Sequence, residues 1–350
     1  MIKMKRTALF FFCLLLGQLS FAQDFTSTAT IDGLLYELNE STHTAMISNG
    51  NSWTGELVIP ERVSYRGDTY IVDRLEWLAF DLCETLTKVK IPKTIVKIQH
   101  YAGTKDCKNP FRGCTCLESI EVAEENPSMC SVDGVLFNKD KTQLFCYPAG
   151  ARSKVYSVPD GVTWIGGDAF ALNPYLLNVT MPNSVTRLSF GVFSYCKSLQ
   201  SVVLSENISY IDAYTFEKCE SLHSLEIPES VSGFAESVFR WSPLKTLVIK
   251  GTFPQGLRYD TFYLMDDEVI VYVRQSEVEK FRKVFHGTVL PLESYYTGIS
   301  DIPMANYNKK SQAYNLQGHI TRYPAKGIYV EDGRVIISRG SHNRFFKKKR

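Results

Sequence analysis

A 23-residue period is the feature that most constrains the fold of this 350-residue chain. A phenylalanine recurs at this spacing and forms a column of equivalent positions. Three further columns keep the same spacing: one is mostly proline, one is mostly valine and one is mostly other aliphatic residues. The phenylalanine column contains Phe170, Phe193, Phe216 and Phe239. A fixed period of about 20 to 29 residues indicates a solenoid, in which stacked neighbours bury the apolar faces that one repeat cannot bury alone.

Each repeat opens with a leucine, two variable residues, an apolar residue, a variable residue and a second apolar residue. The first, fourth and sixth positions are predicted to face inward on a short strand. Such strands are expected to pair in a parallel sheet, about 4.8 Å apart. The five segments begin at Leu86, Leu117, Leu176, Leu199 and Leu222.

The position three residues after each phenylalanine also forms a column. It contains Cys83, Cys114, Asn173, Cys196, Cys219 and Ser242. Because cysteine behaves as a small hydrophobic residue, we predict that this position is a small apolar filler in a tight turn.

These columns resemble the repeats of the BspA-like leucine-rich repeat family, which run strand, Ile-Pro, Ser-Val, Ile-Gly, Ala-Phe, Cys and Leu. Residues 158–170 match this order closely, and the resemblance extends over about residues 55–290. It implies an α/β repeat solenoid that is strand-rich with few helices. It also implies a noncatalytic protein that binds host matrix or other cells.

The N-terminus has the three parts of a cleaved export signal. A basic segment (residues 3–6) precedes an apolar run (residues 8–19), and Ser20-Phe21-Ala22 is a cleavage site of the small-x-small type. We therefore predict a signal peptide over residues 1–22 and a mature chain without a transmembrane segment. The expected location is the cell surface or the extracellular space, with the periplasm as the alternative.

The rest of the chain is predicted to divide into four parts. Residues 23–54 form an N-terminal cap hairpin, and residues 55–292 form the solenoid. Residues 293–343 form a small β module, and residues 344–350 are a basic tail. Two units of the same kind, Asp32-Gly33 and Asp133-Gly134 with the strands that follow, are predicted hairpins.

A helix is predicted to close the solenoid as a C-terminal lid. Ser276 and Glu279 have the spacing of a capping box, and Val278, Phe281 and Phe285 lie on one helical face. The module that follows resembles the tail recognised by type IX secretion, through the segments 314–318 and 326–330. Whether this module sorts or anchors the protein is open, because the basic tail extends beyond the usual terminus.

The charge balance excludes nucleic acid as a partner. Residues 23–343 contain 31 basic and 37 acidic side chains, a difference of −6. A body with this net charge does not attract a phosphate backbone as a whole.

No spacing in the chain is typical of catalysis or of metal binding. The six histidines are scattered, and neither a nucleophile elbow nor a phosphate-binding glycine loop is present. We predict no catalytic residues, no metal and no cofactor. A disulfide among Cys107, Cys116, Cys130 and Cys146 and a set of free thiols both remain open.

The outward side of the predicted sheet is the candidate binding surface, since solenoids use such faces to bind proteins. The expected partner is a protein or glycan on host or neighbouring cells. The candidate residues are Lys88, Lys90, Glu118, Glu121, Asn178, Thr180, Ser201, Val203, Ser224 and Glu226. The alternative is a structural or assembly subunit of the bacterial cell envelope.

A second candidate is the tripeptide Arg66-Gly67-Asp68, which is an adhesion motif in other exported proteins. It is predicted at the tip of a hairpin, where Gly-Asp also simply favours a turn.

Overall fold

The computed structural model describes most of residues 25–297 and three strands nearer the C-terminus. The described residues are 25, 27–99, 109–254, 257, 259–262, 265, 268–297, 314–315, 327–331 and 334–338. The predicted signal peptide, Cys107 and the basic tail lie outside them. Among the described residues, no helix combines the length and the hydropathy that crossing a membrane requires.

The chain forms two compact units. Unit 1 comprises residues 1–153, 161–175 and 188–196, and unit 2 comprises residues 154–160, 176–187 and 197–350.

Short strands dominate both units. The first strands are β1 (Ser27–Ile31), β2 (Leu34–Asn39), β3 (Thr44–Asn49), β4 (Gly55–Val58), β5 (Arg62–Tyr65), β6 (Asp68–Leu75), β7 (Leu86–Ile91), β8 (Lys97–Ile98) and β9 (Ser119–Val122). They are followed by β10 (Met129–Val132), β11 (Val135–Asn138), β12 (Gln143–Cys146), β13 (Val155–Ser157), β14 (Trp164–Ile165), β15 (Asn178–Thr180), β16 (Arg187–Leu188), β17 (Ser201–Val203) and β18 (Tyr210–Ile211). The last are β19 (Ser224–Ile227), β20 (Gly233–Phe234), β21 (Thr246–Ile249), β22 (Ile270–Val273), β23 (Thr288–Pro291), β24 (Tyr314–Asn315), β25 (Gly327–Glu331) and β26 (Arg334–Ser338).

Both predicted hairpins are present in unit 1. Strands β2 and β3 pair antiparallel, as do β11 and β12. Sequence reasoning missed one strand before each hairpin: β1 pairs with β2, and β10 pairs with β11. The turns between them, Asp32-Gly33 and Asp133-Gly134, have positive φ at both residues, which is the backbone geometry that Asp-Gly favours.

The repeat strands form parallel sheets. Unit 1 has the order β4-β7-β9, and unit 2 has β13-β15-β17 and β19-β21-β22-β23. The predicted inward positions are buried, except that Val122 is half-buried. The repeat solenoid predicted from the 23-residue period is therefore confirmed.

The phenylalanine column fills the core. Phe80, Phe111, Phe170, Phe193, Phe216 and Phe239 are all 0% exposed. Within unit 1 the rings of Phe170 and Phe193 stack with their centroids 5.2 Å apart. The same stacking joins Phe80 to Phe111, also at 5.2 Å. Burial of these rings stabilises the repeat against its neighbour.

The column three residues after phenylalanine is more than an apolar filler. The Sγ of Cys114 donates to the carbonyl of Phe80 (3.1 Å), and the Sγ of Cys196 donates to the carbonyl of Phe170 (3.0 Å). Ser242 makes the equivalent bond to the carbonyl of Phe216. The position needs a small hydrogen-bond donor, which explains why cysteine, serine and asparagine alternate there.

The predicted capping box is wrong. A 3-10 helix (Gln275–Glu277) precedes α1 (Val278–Phe281), and the hydroxyl of Ser276 donates to Glu277 instead of capping a helix. Glu277 is buried and also accepts from the backbone N–H of Phe253 (3.1 Å), which fixes the chain in this tighter turn. The three residues of the predicted apolar face, Val278, Phe281 and Phe285, are nevertheless buried, although Phe285 lies beyond the end of α1.

A second helix, α2 (Leu292–Thr297), follows β23. Farther along the chain, β24, β25 and β26 form an antiparallel three-stranded sheet, in which Tyr314 pairs with Val330 and Ile328 with Ile337. Strands β24 and β25 overlap the segments 314–318 and 326–330 of the predicted C-terminal module.

Candidate functional site

The charged residues on the sheet face of unit 1 pair with one another. The Nζ of Lys88 contacts Glu121, and the Nζ of Lys90 lies 2.6 Å from Glu56. Glu118 lies 3.7 Å from the Nε of Arg152. Ion pairs at this exposure contribute little to stability, but they leave little unbalanced charge for a partner.

A hairpin turn occupies one side of this face. The backbone N–H of Ile120 in β9 donates to the carbonyl of Gly134 (2.9 Å). A Cβ on Gly134 would lie 2.9 Å from the Cβ of Ser119, so glycine permits the close approach. The turn between β10 and β11 therefore continues the sheet of unit 1 beyond β9.

The sheet face of unit 2 is different, because its first three strands present small uncharged side chains. One row across the strands contains Val155, Asn178 and Ser201, and the next contains Ser157, Thr180 and Val203. Small side chains lose little conformational entropy when a partner covers them.

A depression lies between β17 and β19, where the sheet β13-β15-β17 ends and the sheet β19-β21-β22-β23 begins. Its volume is about 90 Å³. The polar groups of its lining include Ser201, Ser224, Glu206, Glu226 and Lys250. With Val203, four of the ten residues predicted from the sequence thus line one depression; Lys250 and Glu206 were not among the predicted residues.

The charged groups of this depression interact directly with one another. The Nζ of Lys250 lies 2.8 Å from the Oε2 of Glu226. Burial alone would lower the pKa of Lys250, but the hydrogen bond and charge of Glu226 outweigh it and raise the pKa. The Nε of Arg274 donates to the carbonyl of Lys250 (2.6 Å), which holds the backbone of the lysine in place.

Helix α2 covers the sheet face farther along unit 2. The rings of Tyr272 in β22 and Tyr295 in α2 have centroids 5.0 Å apart. Val248, which alternation predicts to point outward into solvent, is only 1% exposed. The aromatic pair Tyr295-Tyr296 was the sequence signal for this cover, since such residues seek an apolar surface. Burial and the charge of Glu226 raise the pKa of Tyr295, so the helix also contacts the edge of the depression.

The Arg66-Gly67-Asp68 tripeptide lies at a hairpin tip, as predicted. Tyr65 pairs with Asp68 across the turn, and Arg66 and Gly67 have φ values of 53° and 94°. The guanidinium of Arg66 lies 5.1 Å from the centroid of the Tyr65 ring. All three residues of the motif are exposed.

The cysteines of the described part are free thiols. Cys146 is buried, Cys130 is half-buried and Cys116 is exposed. Burial raises the pKa of the Cys146 thiol, which keeps it protonated. A disulfide among these three is therefore not formed in this structure, and their possible partner Cys107 lies outside the described residues.

The same part of the chain contains no group of three or more histidine, cysteine, aspartate or glutamate side chains arranged to hold a metal ion.

A strongly perturbed carboxyl group lies away from the sheet face, at Glu76, the residue that follows β6. Burial and the nearby charge of Glu37 raise the pKa of Glu76 to about 7. A carboxyl whose pKa is higher in the folded state binds its proton more tightly when folded, so stability falls as the pH rises from about 4.5 to about 7.

We expect Glu76→Gln to remove this pH dependence. At pH 8 the variant should be more stable than the parent by about 1 to 2 kcal/mol, and at pH 4 the two should be equally stable. Urea denaturation at both pH values measures the difference. The control is Glu84→Gln, on an exposed turn, and an equal gain for both variants would contradict the assignment.

Parallel short strands, a buried phenylalanine column and a hydrogen-bonded cysteine column define this protein as a leucine-rich repeat protein. A family model described as "BspA type Leucine rich repeat region" matches residues 73–143 and 141–264, in six copies. The chain belongs to this family, which confirms the resemblance deduced from the repeats.

Two solved structures illustrate the similarity. The pneumococcal vaccine antigen PcpA is 17% identical, with 77% of this chain and 99% of that chain covered and a TM-score of 0.49. A leucine-rich cell surface protein from Faecalibacterium prausnitzii A2-165 is 18% identical, with 76% and 100% covered and a TM-score of 0.45. The comparison with curated proteins gives no match.

Proposed function

We propose that this protein is an exported, noncatalytic binding or adhesion protein that recognises a protein or glycan partner through the sheet face of unit 2. The observation that carries the proposal is the depression between β17 and β19. It brings Ser201, Val203, Ser224 and Glu226 together beside Lys250, next to strands with small uncharged side chains.

The repeat architecture supports this function. Leucine-rich repeats place a hydrogen-bonded backbone behind an extended surface, and solenoid proteins generally use that surface to bind other proteins. The pattern of residues 1–22 supports export, and membership of the BspA type supports a location at the cell surface or outside the cell. The exposed Arg66-Gly67-Asp68 tip offers a separate adhesion element.

The second candidate is a structural or assembly subunit of the bacterial cell envelope. The observation in its favour is the antiparallel sheet β24-β25-β26, at the position of the module that resembles the tail used in type IX secretion. Proteolysis of intact cells distinguishes the two functions, since an exposed binding protein is removed and a subunit within the envelope is protected.

Blocking the depression with a large side chain tests the proposed function. We expect Ser201→Arg to lower affinity for a bound partner at least about tenfold, because its long side chain fills the depression and blocks the entry of a partner. The measurement is binding of the purified chain to immobilised matrix proteins, glycans and bacterial surface fractions.

The matched control is Ser209→Arg, which makes the same change at an exposed position of unit 2. Retained affinity in Ser209→Arg together with its loss in Ser201→Arg supports the sheet face. Unchanged binding in both variants refutes it.

A further inference from the structure

The depression is a small feature of the sheet face of unit 2, and Ser201, Ser224, Glu226 and Lys250 are among the residues that line it. A peptide segment that runs over this sheet face can place the end of one side chain in the depression. The chemistry of the lining then decides which side chain fits best.

The lining of the depression suits a side chain that is apolar along its length and charged at its end. Val203, Leu225 and Pro228 supply apolar surface, and Glu206 and Glu226 supply carboxylates. Lysine and arginine have this build, because their methylene stems pack on apolar surface while the charged group remains near water.

The charge of the depression favours the same occupant. Two carboxylates, Glu206 and Glu226, face one ammonium group, that of Lys250, which leaves a net charge of −1. The depression already holds an ammonium group, since Lys250 is hydrogen-bonded to Glu226 and the charge of Glu206 also raises the pKa of Lys250. An acidic side chain would instead meet two like charges.

We propose that the depression between β17 and β19 is a subsite for one basic side chain of an extended peptide segment, held by the carboxylates of Glu206 and Glu226. This inference rests on the proposed function, because it selects a protein as the partner bound by the sheet face. Lys250 competes with the incoming cation for Glu226, so it sets the affinity of the subsite.

Three short peptides test the subsite on the purified full chain. The peptides are acetyl-Gly-Gly-X-Gly-Gly-amide, where X is lysine, norleucine or glutamate. We expect the lysine peptide to bind with a Kd on the order of millimolar, as suits a single side chain, and to shift the backbone amide NMR signals of Ser224 and Glu226. The norleucine peptide has the same stem without the charge and is expected to bind at least about fivefold more weakly.

Two variants are expected to change the affinity for the lysine peptide in opposite directions, which distinguishes an effect on the subsite from loss of binding through misfolding. Glu226→Gln is expected to weaken binding of the lysine peptide about tenfold, because a charge-assisted hydrogen bond is lost. Lys250→Met is expected to strengthen it about threefold, because the competing ammonium group is removed. The control Glu121→Gln lies on the sheet face of unit 1 and is expected to have no effect.

Equal binding of the lysine and norleucine peptides overturns the subsite, and so does a Glu226→Gln variant with unchanged affinity for the lysine peptide. Failure of the proposed function gives a different result. In that case the peptide binds, but Ser201→Arg leaves partner binding intact. If Ser201→Arg abolishes partner binding and no peptide binds, the function stands and the subsite is wrong.

Discussion

We expect Phe193→Ala to lower the free energy of unfolding by about 4 kcal/mol. The ring of Phe193 is 0% exposed and stacks on Phe170, so its removal leaves a cavity inside the repeat. In a solenoid each repeat is stabilised mainly by its neighbours, and a cavity between two of them also weakens their coupling. Urea denaturation followed by circular dichroism measures the loss.

Two further variants calibrate this result. Phe193→Leu keeps most of the apolar volume and is expected to cost about 1 to 1.5 kcal/mol. Tyr210→Ala removes an aromatic ring that is 47% exposed and is expected to cost less than about 1 kcal/mol. If Phe193→Ala and Tyr210→Ala cost the same, the phenylalanine column does not form the core.

The repeat core could be predicted from the sequence because its signal is redundant. The same apolar position recurs in each copy, so an error in one repeat is corrected by the others. Phe170 and Phe193 are buried as predicted, and so are the inward strand residues such as Leu176 and Val179. The hairpins β2-β3 and β11-β12 were also predicted. Strands β1 and β10 were missed, although the Asp-Gly pairs that follow them readily adopt positive φ at two successive residues and so favour a hairpin turn.

Contacts between residues far apart in the chain were harder to predict. The pairing of Lys88 with Glu121 neutralises two residues that the sequence suggested for binding, and it depends on the register of β7 against β9. Val248 is buried although alternation predicts that it points outward. Helix α2, which packs on Tyr272 of the neighbouring strand β22, begins more than forty residues later in the chain. Alternation along one strand carries no information about what packs on top of it.

The candidate site was found only in part for the same reason. Ser201, Ser224 and Glu226 follow from alternation along the strands, but the depression exists because β17 and β19 belong to different sheets. Lys250 immediately follows β21 and lay beyond the six-residue strand pattern from which the outward positions were predicted. The cysteine column offered a signal that was misinterpreted, because Asn173 and Ser242 in the same column already indicated a need for a hydrogen-bond donor.

A single buried asparagine holds the turn after β9 to the segment after β7. Asn126 is 0% exposed, and its Nδ2 donates to the carbonyls of Pro92 (2.9 Å) and Ile95 (2.8 Å). Its Oδ1 accepts from the backbone N–H groups of Ser128 and Met129, each at 2.9 Å. Four hydrogen bonds thus converge on one side chain, and the two carbonyls require a donor at Nδ2.

We expect Asn126→Asp to lower the free energy of unfolding at pH 7 by about 4 kcal/mol, although the side chain keeps its shape. The substitution leaves two buried carbonyls without a donor and places a carboxylate oxygen against them, and each unsatisfied group costs about 1 to 3 kcal/mol. Protonation restores one donor, so the loss should shrink as the pH falls toward 4. Urea denaturation at pH 7 and pH 4 measures both effects.

The control Asn207→Asp makes the same exchange at an exposed asparagine, whose Nδ2 donates to the carbonyl of Asn183 (2.7 Å). Because water can replace that bond, we expect a loss below about 1 kcal/mol. A loss at Asn126 that is equally small, or that does not change between the two pH values, would show that the buried carbonyls find other donors. A large, pH-dependent loss of unfolding free energy would show that the side chain of Asn126 connects successive repeats on this side of unit 1.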